Sequence, residues 1–204
     1  MRIALVGPGR IGLALRPELA ARGHDIALLG RSETGDYLSP DFRPEAAVRA
    51  LDACDAALLL AGRFELGGDP AQMLQTNFAG PVRIAEALHA RFPRAVLVTF
   101  LDSRIQRPDA ALPSALLPYL DAKRRLARWT LDAARAWSGS GARVNAIAPG
   151  PVLPPPDAAH REPAGACLTP RPTIQDLLAA VLLLLTVPSI TGQILYVDAG
   201  QHLL

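Results

Sequence analysis

Tyr119 and Lys123 are four residues apart in a segment with helical periodicity, and this spacing suits proton transfer. Positions i and i+4 of a helix share one face, so the phenol and the ammonium would be neighbours. A nearby positive charge favours the phenolate and lowers the pKa of a tyrosine from its usual value of about 10. A phenol tuned in this way gives or accepts a proton at neutral pH, as the reduction of a polar double bond requires. Taken alone, the pair is more typical of an exposed tyrosine and lysine.

A glycine-rich segment near the start of the chain indicates a nucleotide site. It lies between an apolar run at 3–6 and a helical pattern at 11–22, and it reads Gly7-Pro8-Gly9-Arg10-Ile11-Gly12. The segment matches G-x-G-x-x-G, in which glycines let the backbone approach a pyrophosphate and the helix N-terminus supplies N–H groups and a positive dipole. We therefore expect Gly7, Gly9, Arg10, Ile11 and Gly12 to contact a dinucleotide. The alternative is a tight strand–helix turn that holds no ligand.

The end of the second apolar run indicates which dinucleotide would bind. A cofactor with a free ribose 2′-hydroxyl usually meets an acidic residue about 20 residues after the glycines. This chain has Gly30-Arg31-Ser32 at that point, and an arginine beside a hydroxyl suits a 2′-phosphate through charge-assisted hydrogen bonds. With Arg10 as a second positive charge, the sequence favours NADP(H) over NAD(H). The alternative is a solvated Arg31, with Glu33 meeting the hydroxyl.

These segments belong to an alternation of apolar strands and helical patterns. Strand-like runs lie at 3–6, 25–29, 56–60, 95–100, 143–147 and 193–197. Helical patterns lie at 11–22, 45–53, 70–91 (interrupted at Gly80-Pro81), 116–137 and 173–186. The alternation predicts an α/β fold, a Rossmann-type doubly wound parallel sheet, in a single domain over residues 1–204. Such sheets bind their ligands at the carboxyl ends of the strands.

The composition is that of a folded chain and argues against two classes of partner. The chain has 204 residues, of which 50% are hydrophobic and 20% charged, so it can bury a core. Its net charge is +2 without a block of Lys and Arg, so no nucleic-acid partner is expected. The most apolar stretch, at 177–187, is shorter than the roughly 20 residues that span a bilayer, so no membrane association is expected.

Cysteine usage and the start of the chain favour a cytoplasmic location. Cys54 and Cys167 are far apart and neither belongs to a C-x-x-C pair, so no disulfide or zinc site is expected. The four histidines show no metal-ligand spacing, so no metal is expected. The first apolar run begins at Ile3 and leaves no room for a signal peptide.

Longer segments of the chain resemble the short-chain dehydrogenase/reductase family. RVNAIAPGPV at 143–152 is similar to the family's strand and loop under the nicotinamide, and TGQILYVDAGQHL at 191–203 is similar to its last strand and tail. LLLAG stands where the family has an N-N-A-G turn, of which Ala61 and Gly62 remain. LQTNFAG resembles the helix that carries the family's active-site asparagine, here Asn77. The resemblance covers nearly the whole chain and is strongest from about Val96 onward.

Within the family, the segment LDSRIQRP is similar to the pteridine-reductase-like branch, where an aspartate replaces the usual serine. The resemblance implies that Asp102 helps relay a proton to Tyr119, with Ser103 as the competing candidate. It further implies that Tyr119 is the acid, and that Lys123 lowers its pKa and holds the nicotinamide ribose. Asn77 would position a water molecule in the proton relay.

The implied activity is that of an NADPH-dependent oxidoreductase, which passes hydride to a C=O or C=N bond of a small molecule, with pteridines as one suggested class. Pro149, Gly150 and Val152 would line the nicotinamide, and the chain would form a homo-oligomer. Asp102 and Tyr119 are 17 residues apart where the family usually has 13, which requires an insertion near 110–115.

Two alternatives stay open. A non-catalytic dinucleotide-binding sensor or partner subunit is favoured by a stretch at 32–75 that is shorter than in typical members of the family. The proline-rich segment at 151–172 is either a lid over the substrate or a passive surface loop.

Overall fold

Six parallel strands form one sheet in the part of the chain that the structure describes. The structure is a computed structural model, and it describes residues 1–30, 43–152, 168 and 171–204. The strands are β1 (Arg2–Val6), β2 (Asp25–Leu29), β3 (Ala56–Leu59), β4 (Val96–Phe100), β5 (Arg143–Pro149) and β6 (Ile194–Val197). Their order in the sheet is β2-β1-β3-β4-β5-β6, and every pairing is parallel.

Helices connect the strands. They are α1 (Gly9–Ala20), α2 (Pro44–Arg49), α3 (Pro70–Leu74), α4 (Gly80–Arg91), α5 (Leu117–Ala136) and α6 (Ile174–Thr186). The start of α6 has a clear local cause, because Thr173 and Asp176 satisfy each other's backbone N–H groups in a capping box. None of the helices in the described ranges combines the length and the apolar character needed to cross a membrane.

The helices cover both faces of the sheet, as the doubly wound prediction requires. Ile3 and Leu5 of β1 point into a core with residues of α1 and α6. Ala4 and Val6 point into a second core with residues of α2, α4 and α5. Because alternate residues of each strand face opposite cores, the strands read as continuous apolar runs. The predicted α/β, Rossmann-type architecture is confirmed.

The chain order reverses on the two sides of β1, which pairs with β2 on one side and with β3 on the other. Such a switch point opens a crevice at the carboxyl ends of the strands, which is where open α/β sheets bind ligands. Within the described residues β2 forms one edge of the sheet.

The helical pattern at 70–91 contains a break whose position differs slightly from the expected one. The expected interruption was at Gly80-Pro81, whereas the structure places a π-helical segment, Gln75–Ala79, immediately before that pair. Pro81 occupies the first turn of α4, where its missing N–H costs nothing. The wider π-helical turn carries Asn77, so the break re-aims a side chain of the predicted site.

Candidate active site

Tyr119 and Asp102 meet at the carboxyl end of β4, although the sequence separates them by a long loop. Asp102 follows β4, and Tyr119 lies in the first turn of α5. The phenol hydroxyl donates to Asp102 Oδ2 over 3.3 Å, and Tyr119 is only 8% exposed. The expected insertion near 110–115 forms short helical turns at Asp109–Ala111 and Ser114–Leu116, which take up the extra length.

Arg104 holds the carboxylate of Asp102 in place. Its Nε donates to Asp102 Oδ1 at 2.9 Å and its Nη2 donates to Oδ2 at 2.7 Å, a bidentate pair. The backbone N–H of Arg104 also donates to Oδ1 at 2.9 Å. These bonds raise the pKa of Arg104 and fix the carboxylate that the Tyr119 hydroxyl touches. Arg104 was not among the residues predicted from the sequence, although it stands two positions after Asp102 in LDSRIQRP.

Lys123 is buried behind Tyr119 on the same face of α5, as the i, i+4 spacing predicted. Its Nζ donates to the carbonyl oxygen of Phe100 at 2.8 Å and lies 5.9 Å from the centre of the Tyr119 ring. Burial lowers the pKa of Lys123 to about 8, against the opposing attraction of Asp102. Lys123 is the sole lysine of the chain.

The pKa of Tyr119 moves in the direction opposite to the one expected from the sequence. Burial, followed by the negative charge of Asp102, raises it well above the usual value of 10, and Arg104 opposes this only in part. The expectation that Lys123 lowers this pKa is therefore wrong for this arrangement. The reason is that desolvation and a nearby carboxylate both penalise the phenolate.

Asn77 anchors the loop that follows β3. Its Nδ2 donates to the carbonyl oxygens of Arg63 and Met73, each at 3.0 Å, and its Oδ1 accepts from the N–H of Arg63 at 3.0 Å. A Cβ atom on Gly62 would lie 3.0 Å from Asn77 Oδ1 and 3.2 Å from Lys123 Nζ. Asn77 and Lys123 thus both lie next to Gly62, and both amide donors of Asn77 bind backbone.

The three glycines at positions 7, 9 and 12 have different structural roles. A Cβ on Gly7 would lie 2.5 Å from the Cβ of Ala61, and one on Gly12 would lie 2.9 Å from a methyl group of Leu60, so both permit close packing. Gly9 has a φ of +48° and an added Cβ would meet nothing within 4 Å. This open, left-handed position is the first residue of α1, at the end of the helix toward which its backbone N–H groups point. The loop therefore fits a pyrophosphate.

Two adjoining cavities share Phe64 and Pro149 as walls. The smaller has a volume of about 150 Å³ and includes Ile11, Gly62, Tyr119 and Lys123 in its lining. The larger has a volume of about 340 Å³ and includes Asp102, Arg104, Gly150 and Gln201. The first lies between the glycine loop and the phenol, and the second extends from Asp102 toward solvent.

Phe64 is a second residue that the sequence analysis missed. Its ring packs edge-on against Tyr119 with 5.2 Å between ring centres, and the guanidinium carbon of Arg104 lies 5.5 Å from its centre. Nothing in the local pattern distinguishes this phenylalanine from an ordinary loop residue. Its position depends on Asn77, which binds the backbone of Arg63 next to it.

The structure separates the two residues that competed for the serine role. Ser103 is fully buried, and its hydroxyl donates to Gln201 Oε1 at 3.1 Å. Asp102, and not Ser103, contacts the hydroxyl of Tyr119. Gln201 is the third residue that sequence reasoning did not single out.

The remaining residues expected to contact the cofactor differ in their positions. Val152 is 6% exposed and belongs to the aliphatic core that includes Leu177, and its place beside the nicotinamide stays a prediction. Arg10 is exposed at the start of α1. Arg31 and Ser32 lie outside the described residues. Among the described residues, no group of three or more His, Cys, Asp or Glu side chains is arranged to hold a metal ion.

Known structures share this fold over nearly the whole chain. A 3-alpha-hydroxysteroid dehydrogenase from Pseudomonas sp. B-0831, in complex with NADH, matches with a TM-score of 0.81 and 24% identity, covering 98% of this chain and 96% of its own. A blue fluorescent protein from a metagenomic library, in complex with NADPH, matches with a TM-score of 0.82 and 23% identity, covering 98% and 97%. At these identities the likeness establishes the fold.

A curated protein matches over a short stretch only. The Trk system potassium uptake protein TrkA of Mycobacterium tuberculosis is 41% identical over 59 residues, which are 29% of this chain and 26% of that protein. The chain therefore spans about a quarter of the length of this relative.

A family profile covers the second and larger part of the chain. The profile is described as enoyl-(acyl carrier protein) reductase and matches residues 68–202, about two thirds of the sequence. The matched region runs from the loop before α3 to the C-terminal turn, and so contains Asn77, Asp102, Tyr119 and Lys123. Together with the parallel sheet and its helices on both faces, this match shows that the chain belongs to the short-chain dehydrogenase/reductase family of oxidoreductases.

Proposed function

We propose that this protein is an NADPH-dependent reductase that adds hydrogen across a C=O or C=N bond of a small molecule, with Tyr119 as the proton donor. The observation that carries the proposal is the contact between the Tyr119 hydroxyl and Asp102 at a cavity that adjoins the glycine loop. The contact joins residues from two separate segments at the ligand-binding edge of the sheet.

The residues present fit a nicotinamide dinucleotide. Gly9 leaves open space at the N-terminus of α1, where a pyrophosphate would accept hydrogen bonds from backbone N–H groups. Lys123 would hold the ribose, and Pro149 and Gly150 would lie beside the nicotinamide; further contacts would come from Gly7, Arg10, Ile11, Gly12, Ala61 and Gly62. Arg31 and Ser32 would bind the 2′-phosphate. When bound, the cofactor would supply the hydride; proteins of similar fold are in complex with NADH or NADPH.

The protein's own part in the reaction is to deliver a proton. The raised pKa keeps the Tyr119 phenol protonated at neutral pH, which is the form that donates. As hydride reaches carbon, the O–H proton of Tyr119 passes to the substrate oxygen or nitrogen, and the phenolate left behind is reprotonated from solvent through Asp102. Asn77 supports the reaction by holding the loop that carries Phe64 over the phenol.

The polar wall of the larger cavity favours a substrate with polar ring atoms. Asp102 and Arg104 face a space of about 340 Å³ that also contacts the apolar surfaces of Phe64 and Pro149. Planar heterocycles such as pteridines combine apolar faces with polar edges and fit this lining. We therefore place pteridines first among the substrates to be tested.

Replacement of Tyr119 by phenylalanine tests the proposal. The variant lacks the donated proton and should lose at least a hundredfold in kcat, since general acid catalysis contributes about that much or more. Oxidation of NADPH is followed by absorbance with a panel of dihydropterins, ketones and quinones. Thr186→Val is the control for loss of a hydroxyl group, because the Thr186 hydroxyl binds the carbonyl oxygen of Leu182 within α6, outside the cavities. Unchanged kcat in Tyr119→Phe would contradict the assignment.

A second function belongs to a different class, a dinucleotide-binding regulator without turnover. The observation that favours it is that a locally similar protein is named for a potassium uptake system and not as an oxidoreductase. Tight NADPH binding, with no turnover on any member of the panel by the wild-type protein, would support this regulator and not the reductase. We also propose that the chain forms a homo-oligomer, which light scattering on the purified protein would test.

A further inference from the structure

The C-terminal turn after β6 is built as a rigid unit. Asp198 is 4% exposed, and its carboxylate accepts from the N–H of Gly200 at 3.0 Å and from the N–H of His202 at 2.7 Å. The ring of His202 also contacts this carboxylate at 3.0 Å. The short helical turn Gln201–Leu203 therefore has a defined position relative to the sheet.

Two contacts join this turn to the segment that follows Asp102. The Ser103 hydroxyl donates to Gln201 Oε1 at 3.1 Å, and Gln106 Nε2 donates to the Tyr196 hydroxyl at 2.7 Å. The Tyr196 ring stacks on the ring of His202 with 4.2 Å between centres. As a result, the side chain of Gln201 lies in the wall of the larger cavity.

The hydrogen-bond pattern leaves donors on the cavity wall. Ser103 binds the oxygen of the Gln201 amide, so the nitrogen of that amide carries two N–H groups, and no residue in the described part of the chain accepts from them. Arg104 uses Nε and Nη2 on Asp102, which leaves the N–H groups of Nη1 without an acceptor among the described residues. Two sets of donors thus border one cavity.

The charge of the cavity selects the kind of acceptor. The bidentate contact pairs the positive charge of Arg104 with the negative charge of Asp102 at 2.7 Å, so the wall has no net charge from this pair. A negatively charged ligand group would also be repelled by the Asp102 carboxylate. The donors on this wall therefore suit a neutral acceptor, such as a lactam carbonyl or a ring nitrogen.

We propose that Gln201 orients the substrate by donating from Nε2 to a neutral carbonyl or ring nitrogen that is distinct from the bond reduced. Arg104 Nη1 supplies a second donor to the same polar edge, while Phe64 and Pro149 contact the faces of the ring. The inference deepens the proposed reductase function and rests on it. On this assignment, the C-terminal turn makes the protein prefer cyclic substrates with two hydrogen-bond acceptors to those with one.

Two bicyclic ketones of similar size test the assignment. Isatin carries a ketone and a neighbouring lactam carbonyl, whereas 1-indanone carries the ketone alone. Calorimetry measures the affinity of each for the full-length protein saturated with NADP⁺, and NADPH oxidation measures turnover separately. The wild-type protein should bind isatin about tenfold more tightly, since one hydrogen bond to a neutral acceptor is worth roughly this ratio.

Gln201→Glu and Gln201→Leu should remove that preference. A glutamate carboxylate at this position would be able to accept from Ser103 but has no N–H to donate, and leucine has neither group. Both variants should therefore bind isatin about tenfold more weakly and 1-indanone within about twofold of wild type. Gln193→Leu is the control, because Gln193 is exposed at the opposite end of β6. Thermal melting checks that each variant is folded.

The outcomes separate this inference from the proposed function. A wild-type protein that binds isatin no better than 1-indanone overturns the role of Gln201, and so do Gln201 variants that weaken both probes equally. A wild-type protein that prefers isatin through Gln201, but turns over no substrate of the panel, keeps the binding role and contradicts the reductase.

Discussion

The surroundings of Tyr119 favour the protonated form of its phenol. Burial and the Asp102 carboxylate both disfavour the phenolate, and the pKa is raised well above 10. The reductive direction uses the protonated phenol, whereas oxidation of an alcohol needs the phenolate. At this position the two directions of one reaction should depend differently on pH.

The pH profile of the two directions checks this difference. Between pH 6 and 8, kcat/KM for alcohol oxidation should rise about tenfold per pH unit, because the phenolate fraction rises by that factor below the pKa. Reduction should not depend on the ionisation of Tyr119 in the same range. Asp102→Asn removes the repulsive carboxylate and should shift the oxidation profile to lower pH. A plateau of the wild-type profile below pH 8 would contradict the raised pKa.

Arg31 decides the preference for the phosphorylated cofactor in our proposal. Arg31→Ala should weaken NADPH binding by about tenfold to a hundredfold, the range of a charge-assisted hydrogen bond, and should leave NADH binding nearly unchanged. Fluorescence titration with each cofactor measures this. Arg22→Ala serves as the control, since Arg22 follows α1 and pairs with Glu18 of that helix. Equal losses for NADPH and NADH would show that Arg31 does not contact the 2′-phosphate.

At the scale of elements, the strand–turn–helix unit β1–α1 combines packing and ligand binding in three glycines. Gly7 and Gly12 permit contact with Ala61 and Leu60, whereas Gly9 faces open space. Much of this unit follows from local sequence, because positive φ angles and close approaches require glycine. The π-helical turn at Gln75–Ala79 did not follow, since it depends on how Asn77 binds the loop after β3.

Gly9 and Gly23 provide a matched pair of substitutions at this scale. Both have positive φ angles, +48° and +80°, and at both an added Cβ meets nothing within 4 Å. Alanine at either position should lower the free energy of unfolding by about 1 kcal/mol, the cost of a left-handed residue. Only Gly9→Ala should weaken NADPH binding, by about tenfold or more, because its methyl group occupies the space of the pyrophosphate.

Urea unfolding and NADPH titration of the two variants make the comparison. Equal NADPH affinity in Gly9→Ala and Gly23→Ala would remove the glycine loop from the cofactor site. A fall in affinity for both variants would indicate a general effect of stability instead.

For the whole molecule, burial of the sole lysine links the site to stability. The pKa of Lys123 is lowered to about 8 from a usual 10.5, so between these pH values the unfolded chain binds more protons than the folded one. The contribution of Lys123 to the free energy of unfolding therefore rises with pH in this window, by up to about 1.4 kcal/mol per pH unit. The raised pKa values of Cys54, about 11, and of Tyr119 act in the opposite direction above about pH 9 and pH 10, so the contribution of Lys123 is obtained by comparison with a variant that lacks it.

Two measurements test this linkage. In protein labelled at the lysine side chain, the single NMR resonance of Lys123 should titrate near pH 8 without any need for assignment. Urea unfolding from pH 8 to 10 should show that the free energy of unfolding of the wild type rises relative to that of Lys123→Met. A resonance that titrates above pH 10 would place the ammonium in water and contradict its burial.

Features that depend on neighbouring residues along the chain could be predicted from the amino-acid sequence. Apolar runs that alternate between two cores predicted the parallel strands, the glycine spacing predicted the turn at the start of α1, and the i, i+4 spacing placed Tyr119 and Lys123 on one helix face. The resemblance added Asp102 and Asn77. Each of these depends on backbone periodicity, steric limits or a quoted motif.

Contacts between segments that are distant in the sequence could be seen only in the tertiary structure. Only the folded chain brings Asp102 to the Tyr119 hydroxyl, buries both Tyr119 and Lys123, and places Gln201 in the cavity wall. The direction of the Tyr119 pKa shift differs from the sequence expectation for the same reason. Desolvation and the field of a carboxylate 17 positions away arise only when the sheet and α5 pack together, and they outweigh the effect of a lysine four residues along the helix.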